Sequence, residues 1–137
     1  MFFRRELGRH IELDSISSSA LSAFSTEMLV YAGNIAHINT AGFQARSVSL
    51  MSGPRGEGVH IAAIRRNTSP GPLLPCPVRL TEEAGSTERA SGFCEGSNSD
   101  AAREFVHMLA VQRAFEASAA VIRTHNDVAE SLLNMKI

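Results

Sequence analysis

Apolar residues recur at a heptad-like spacing from Ser97 to Ile137, a segment without glycine or proline. From Ala101, alternating steps of four and three residues reach Phe105, Met108, Gln112, Phe115, Ala119, Ile122, Asn126, Ala129 and Leu133. A second stripe beside it contains Val111, Ala114, Ser118, Val121, His125, Val128, Leu132 and Met135. Such stripes are typical of a helix that packs along another helix. We therefore predict one long C-terminal helix with more apolar surface than a single partner helix covers.

A second heptad series lies nearer the N-terminus and comprises Leu21, Phe24, Met28, Tyr31, Ile35 and Ile38. It predicts a helix from about Ser17 to about Ile38, preceded by polar capping residues at Asp14 and Ser15. The residues from Asn39 to Gly42 have turn chemistry and end it. Gly33 inside the helix costs on the order of 1 kcal/mol in helix propensity, which indicates close approach of another helix. Residues 1–13 are an extension whose structure the pattern does not determine.

The middle of the chain differs in composition, because all five prolines and seven of the ten glycines lie between Gly53 and Gly96. Alternation from Val59 to Ile64 predicts one strand of a short hairpin, and the prolines between Asn67 and Pro77 prevent that strand from continuing there. Val78 to Leu80 and Ser91 to Glu95 are candidates for further short strands, with a polar loop from Glu82 to Arg89 between them.

These elements together predict a mainly α fold. Its two long helices, in residues 14–42 and 97–137, pair as an antiparallel coiled-coil-like hairpin and form a helical assembly domain. A small irregular β-hairpin and loop region, residues 43–96, is inserted between them. Because the helices expose more apolar face than they hide from each other, we expect self-association or co-assembly.

Charge and composition exclude several classes of partner. A net charge of −1 gives no field for nucleic acid or for an anionic membrane, and 44% apolar with 20% charged residues is ordinary for an ordered protein. Polar residues follow the basic N-terminus, so we expect no cleavable signal peptide. No uninterrupted apolar run approaches the length of a membrane span, and we expect no direct membrane insertion. Cys76 and Cys94 lie outside any metal-binding motif and are interpreted as two free thiols.

The sequence contains few motifs for catalysis. Glu104 and His107 have the spacing of a di-iron ligand pair, but the second such pair and the further glutamates that a di-iron bundle needs are absent from the sequence. The glycine patterns of nucleotide sites and nucleophile elbows are absent as well. We expect no enzymatic activity, no cofactor and no small-molecule substrate. A metalloenzyme that uses Glu104 and His107 is one alternative, and a soluble coiled-coil interaction or regulatory module that forms a closed oligomer is another.

Two stretches resemble the axial proteins of the bacterial flagellum, the rod and hook proteins of its basal body. Residues 32–43, AGNIAHINTAGF, are similar to the family's N-terminal signature, an ANNxANxNT helix end leading into a proline, a glycine and an aromatic. Residues 95–117 contain EGSNSD, EFVHM and QRAFEA, which are similar to its C-terminal series SNVD, EEMVxM and QRAYEAN. The short middle segment is most like that of the short proximal rod proteins. Ala41 and Gly33 depart from the usual proline and asparagine.

The resemblance implies a structural subunit of the basal-body rod that polymerises with itself and with other rod proteins into a hollow shaft and transmits torque. It implies delivery by the flagellar export apparatus without a cleaved signal peptide, and terminal helices that pair facing the channel. It also implies that Asn34, Asn39, Gln112 and Arg113 keep helix ends and neighbouring subunits in register. The full set of expected assembly and packing residues is Leu21, Phe24, Met28, Tyr31, Asn34, Ile35, Ile38, Asn39, Gly42, Phe105, Met108, Gln112, Arg113, Phe115, Ile122, Leu132 and Leu133.

Overall fold

Two long helices enclose two β-hairpins in sequence. The computed structural model describes residues 3–54, 58–79 and 89–135, with side chains from Asp14 onward and apart from those at 78, 79 and 89–91. The element order is α1 (Phe3–Ala36), β1 (Arg46–Ser52), β2 (Val59–Arg66), β3 (Leu73–Arg79), β4 (Arg89–Glu95) and α2 (Ala101–Asn134). The expectation of a mainly helical fold with a small β region between the helices is confirmed.

Helix α1 begins earlier than predicted, at Phe3, and so includes most of the N-terminal extension. It ends at Ala36, two residues before the predicted end. No proline interrupts this stretch, so nothing in the covalent chain ends the backbone hydrogen-bond pattern before Asp14. After Ala36 the chain unwinds through turns, in which the Ile38 amide donates to the Ile35 carbonyl over 3.2 Å. Gly42 then adopts a φ of 67°, the left-handed conformation that a side chain disfavours.

Helix α2 begins at Ala101, four residues later than predicted, because Asp100 is its N-cap. The Asp100 side chain accepts hydrogen bonds from the backbone amides of Ala102 and Arg103 over 3.0 and 3.3 Å. The Ser97 hydroxyl accepts a bond from the amide of Ser99 in the turn before the helix. At about 1.5 Å per residue, the 34 residues of α2 extend about 50 Å.

By length and composition alone, α2 is also a candidate membrane span, although it contains no uninterrupted apolar run of that length. Few of its residues are buried, and those that are lie against α1. Length and composition do not distinguish a membrane helix from an assembly helix that lacks its partners.

The β region consists of two separate antiparallel hairpins. β1 pairs with β2, with an irregularity between Ser49 and Leu50, and β3 pairs with β4. The prediction of a strand at Val59 to Ile64 is confirmed. β2 ends at Arg66, before the prolines, as predicted. The strand predicted at Val78 to Leu80 begins earlier, because β3 starts at Leu73 and includes Pro75 and Pro77. In a two-stranded hairpin each strand has a free edge, and a proline nitrogen that faces this edge breaks no bond of the ladder. Leu80 and most of the predicted polar loop lie outside the described residues.

Cys76 and Cys94 form a disulfide bond, so the interpretation as two free thiols is wrong. Cys76 lies opposite Gly92 and Leu74 lies opposite Cys94, which makes the two cysteines diagonal neighbours with Cα atoms 5.7 Å apart. The pairing depends on strand register, which cysteine spacing alone does not give. Closing a loop with a separation of 18 residues stabilises a fold by about 3 kcal/mol in the chain-entropy account.

The small core lies around α1, because α1 contacts α2 on one side and both strands of the first hairpin on another. The most buried apolar residues are Ala20, Ala23, Tyr31, Ala45 and Val111, and the buried polar residues are Ser17, Asn34, Ser97 and Glu104. Small side chains at Ser17, Ala20 and Ala23 permit α1 to be approached from several directions. Gly58, with a φ of 77°, lies so close to the Ser19 hydroxyl that a side chain there would collide with it.

Candidate assembly site

Asn34 is the most deeply buried side chain of the described residues, with 1% of its surface exposed. Its Nδ2 donates to the Arg46 carbonyl over 2.7 Å and to Glu104 Oε2 over 2.9 Å, and its Oδ1 accepts from the Arg46 amide over 2.9 Å. The Asn34 backbone carbonyl also accepts a bond from the Ser99 hydroxyl. The Asn34 side chain therefore connects α1 with the start of β1 and with the first turn of α2, and its backbone carbonyl connects α1 with the loop before α2.

Asn98 makes a matching set of bonds one loop away. Its Oδ1 accepts from the Ala45 amide over 2.7 Å, and its Nδ2 donates to the carbonyls of Asn67 and Ser69 over 2.8 and 2.7 Å. The segment leading into α2 is thus fixed to both ends of the first hairpin. We call Asn34, Asn98 and Glu104, with these bonds, the asparagine junction.

The sequence interpretation did not include Asn98 and Glu104 among the site residues. Glu104 was considered only as a metal ligand, and Asn98 was quoted within the C-terminal motif without a role. The signal that could have found them is their place in that motif, since asparagines near helix ends often bond to the backbone of adjoining loops. The junction shows that Asn34 keeps elements in register within one chain.

Glu104 and His107, the possible metal-ligand pair, both contact side chains of α1 instead. Glu104 is 6% exposed and accepts from Asn34, while the His107 ring stacks on the Tyr31 ring with centroids 5.2 Å apart. Across residues 3–54, 58–79 and 89–135, no group of three or more His, Cys, Asp or Glu side chains could hold a metal ion. The pair therefore has no further ligands within this part of the chain.

Tyr31 lies in the same contact region between α1 and α2. Burial, together with the hydrogen bond that its hydroxyl donates to Glu27 over 3.0 Å and the nearby negative charges of Glu27 and Glu104, raises the pKa of Tyr31 to about 12. The protonated phenol is thus favoured, because its ionisation would add a negative charge beside these carboxylates.

Pairs of contacting residues run in opposite order along the two helices. Asn34 contacts Glu104, Tyr31 stacks on His107, and Asp14 Oδ1 lies 3.3 Å from His125 Nδ1. The face of α2 toward α1 is a nine-residue seam of buried and half-buried positions at alternating steps of three and four. The seam contains Ala101, Glu104, Met108, Val111, Phe115, Ser118, Ile122, His125 and Ala129. It takes members from both predicted stripes, together with the polar Glu104.

A second face of α2 is open. Ala110, Ala114, Ala117, Val121, Thr124, Val128, Ser131 and Met135 lie at alternating steps of four and three, and we call them the outer stripe. Except for the half-buried Ala114 they are exposed, with 49% of Val121, 54% of Val128 and 80% of Met135 accessible. Small and apolar residues at heptad spacing are what a partner helix packs against. Within this chain no helix lies there among the described elements.

The predicted assembly residues fall into three groups by exposure. Tyr31 and Asn34 are buried, and Leu21, Phe24, Met28, Ile35, Ile38, Met108, Phe115 and Ile122 are half-buried. Asn39, Gly42, Gln112, Arg113, Phe105, Leu132 and Leu133 are exposed. Gln112 and Arg113 both bond to Glu116 on their own helix, each over 2.9 Å. Their expected roles between subunits stay predictions.

Gly33 has no atom of this chain within 4 Å of the position a side chain would take. The expected close approach of another helix therefore does not occur within the described part of the chain. Gly33 instead lines an open groove of about 230 Å³, together with Leu29, His37, Phe43 and Arg46 among others.

Comparison with known proteins identifies the two segments that meet at the asparagine junction. Residues 15–44 match the family described as flagella basal body rod protein, and residues 90–135 match the family described as flagellar basal body rod FlgEFG protein C-terminal. The chain is 35% identical to the flagellar basal-body rod protein FlgG of Bacillus subtilis (strain 168) over an aligned stretch of 54 residues. This stretch covers 39% of this chain and 20% of that protein. The matched stretch spans about a fifth of the length of that relative. Because both families describe flagellar rod proteins and their matches together span more than half of the residues, in the expected order, the chain belongs to the flagellar basal-body rod protein family.

Proposed function

We propose that this protein is a structural subunit of the flagellar basal-body rod, which polymerises with itself and with other rod proteins into the shaft that transmits torque. Family membership supports the structural role in the basal body. The outer stripe of α2 carries the proposal of polymerisation, because it repeats the seam spacing on a face that this chain leaves exposed.

In the proposed rod, α1 and α2 of each subunit pair as an antiparallel coiled coil. Support comes from the opposite order of the contacts Asn34 to Glu104, Tyr31 to His107 and Asp14 to His125. Residues 14–42 and 97–137 act as the assembly domain, and residues 43–96 project from it. The asparagine junction fixes the first hairpin to this pair, so that every subunit presents its hairpin at the same angle.

Packing of the outer stripe against a helix of a neighbouring subunit extends the helix pair sideways. Ala110, Ala114 and Ala117 permit close approach of backbones at one end, while Val121 and Val128 supply apolar area at the other. We further propose delivery by the flagellar type III export apparatus without removal of a signal peptide, as the family resemblance implies. No enzymatic role, cofactor or nucleic acid is part of this proposal.

The test is complementation of a host strain from which the gene has been deleted. The deletion strain should lack complete rods and should not swim, and the unaltered gene should restore both. Val121→Glu puts a charge on the outer stripe and should abolish complementation, since burying an unpaired carboxylate between helices is strongly unfavourable. Rods imaged in isolated basal bodies, together with swimming in soft agar, give the measurement.

Asn126→Glu is the matched control, because Asn126 is exposed and lies about 140° around the helix from Val121, on the side opposite the outer stripe. It introduces the same charge and should complement as well as the unaltered gene. Normal rods in the deletion strain would overturn the proposed role. Equal complementation by the two variants would remove the outer stripe from the interface. A soluble module that forms a closed oligomer would appear as one discrete mass by light scattering at all concentrations.

A further inference from the structure

The second hairpin, β3 with β4, has little apolar packing of its own. Leu73 is 70% exposed, Leu74 51% and Phe93 74%, so these three large apolar side chains contribute little to a core. The extensive contacts of the helices are with each other and with the first hairpin. A two-stranded hairpin without a covered apolar face is marginally stable in water.

Among the described residues, the backbone hydrogen bonds outside the strand pairing hold this hairpin at its base. The Gly96 amide donates to the Pro72 carbonyl over 2.7 Å across the base itself, and the Gly42 amide donates to the Glu95 carbonyl over 2.8 Å, which joins the base to the turn after α1. The Cys76–Cys94 bond crosses the hairpin beyond this base.

We propose that the Cys76–Cys94 bond is a redox switch for the second hairpin, which is folded when the two sulfurs are joined and opens beyond its base when they are reduced. The helix pair, the asparagine junction and the first hairpin do not depend on it, because their contacts do not pass through β3 or β4.

Oxidation joins Cys76 Sγ to Cys94 Sγ and removes the two thiol hydrogens, which is a loss of two electrons and two protons. An exchangeable disulfide, such as oxidised glutathione or the disulfide of a thiol oxidoreductase, accepts them and leaves as two thiols. One cysteine first forms a mixed disulfide with the oxidant, and the thiolate of the other then displaces the second thiol. A dithiol reductant reverses both steps.

This chemistry links the fold of the hairpin to the compartment in which the chain resides. Structural disulfides persist in oxidising compartments and are uncommon where thiol reductants are abundant. A chain synthesised in a reducing compartment would therefore complete its second hairpin only after transfer to an oxidising one. The same chain thus has two conformational states that differ in one region.

Amide hydrogen exchange of the purified full chain tests the switch. The chain oxidised with oxidised glutathione is compared with the dithiothreitol-reduced chain and with the Cys76→Ser/Cys94→Ser double variant. The amides of Leu74 and Cys76 and of residues 92–94 should exchange at least tenfold more slowly in the oxidised chain. Amides of β1, β2 and the helices should differ less than twofold among the three samples. Equal exchange of the hairpin amides in all three samples would overturn the proposal, as would loss of protection throughout the chain on reduction.

Bond formation itself gives an independent measurement. In glutathione buffers, the equilibrium ratio of bonded to reduced chain gives the effective concentration of one thiol at the other. The hairpin should make this ratio at least tenfold larger in native buffer than in concentrated urea. An equal ratio would mean that the fold does not bring the two cysteines together, and this result also overturns the proposal.

Discussion

One buried amide determines where the first hairpin leaves the helix pair. The Asn34 side chain donates to the Arg46 carbonyl and accepts from the Arg46 amide. It also donates to the carboxylate of Glu104. A buried carboxylate without a donor and a buried backbone amide without an acceptor each have a cost in free energy. The interactions of this residue are therefore coupled, and its removal should cost more than the loss of one hydrogen bond.

Asn34→Ala should lower the free energy of unfolding by about 2 kcal/mol or more, because it leaves the Arg46 amide and the Glu104 carboxylate without their partner. Asn39→Ala is the control, since Asn39 is exposed on the turn after α1 and should change stability by less than about 0.5 kcal/mol. Urea unfolding at matched protein concentration, followed by circular dichroism, measures both. Similar midpoints for the two variants would contradict a structural role of the asparagine junction.

Tyr31 is the only tyrosine, and the chain has no tryptophan, so tyrosinate absorbance reports on this residue alone. Its pKa in the folded protein is raised from 10.0 to about 12. The protonated form is favoured by folding, so its contribution to stability is complete below pH 10 and is lost as the pH rises towards 12. Spectrophotometric titration should give an apparent pKa above 10 in native buffer and near 10 in concentrated urea. Glu27→Gln should shift the native value downward, because it removes a negative charge beside the hydroxyl.

The two helices show which information a heptad pattern contains. Apolar spacing correctly indicated both helices, and Asp100, within the predicted start of α2, proved to be its N-cap. The seam that contacts α1 continues from Ala101 with a step of three residues, to Glu104. The predicted stripe continues from Ala101 with a step of four residues, to Phe105. Glu104 occupies a seam position, and the count of apolar residues passed over it to the neighbouring Phe105. A polar residue that has a partner across a seam is invisible to such a search.

The hairpins were predicted less completely than the helices. The alternation from Val59 to Ile64 is weak, and its partner β1 contains serines on both sides of Val48 and gives a weak signal as well. The start of β3 at Leu73 and the disulfide were not predicted, because both depend on strand pairing rather than on local sequence. In the same way the role of Asn98 depends on which loops lie beside it. Contacts between distant segments are the part that one sequence does not reveal.

At the scale of the whole molecule, apolar surface exceeds the core. Val106, Leu109, Val121, Val128 and Leu132 on α2 are each about half exposed or more, while only Val111 is a buried apolar residue of that helix. A long helix with so little buried area receives limited stabilisation from its own chain. Contacts with other subunits would supply the remainder.

We predict that helix content rises with protein concentration. In dilute solution α2 should be partly unfolded, because the outer stripe has no partner there and binding of another copy stabilises the folded state by mass action. Circular dichroism across a hundredfold range of concentration, with mass measured by analytical ultracentrifugation, provides the test. Val121→Glu should remove the dependence, whereas Asn126→Glu should retain it. Full helicity that is independent of concentration would contradict an assembling subunit.

The contact between Asn34 and Glu104 joins residues that are 70 positions apart in the chain. Loop-closure entropy must be overcome before such a contact forms, and folding that depends on distant contacts is slow. The N-terminal helix therefore has no partner helix until almost the entire polypeptide is available to it. During synthesis on the ribosome, or during passage through any pore that admits the N-terminal end first, α1 and α2 cannot pair until the C-terminal segment has emerged.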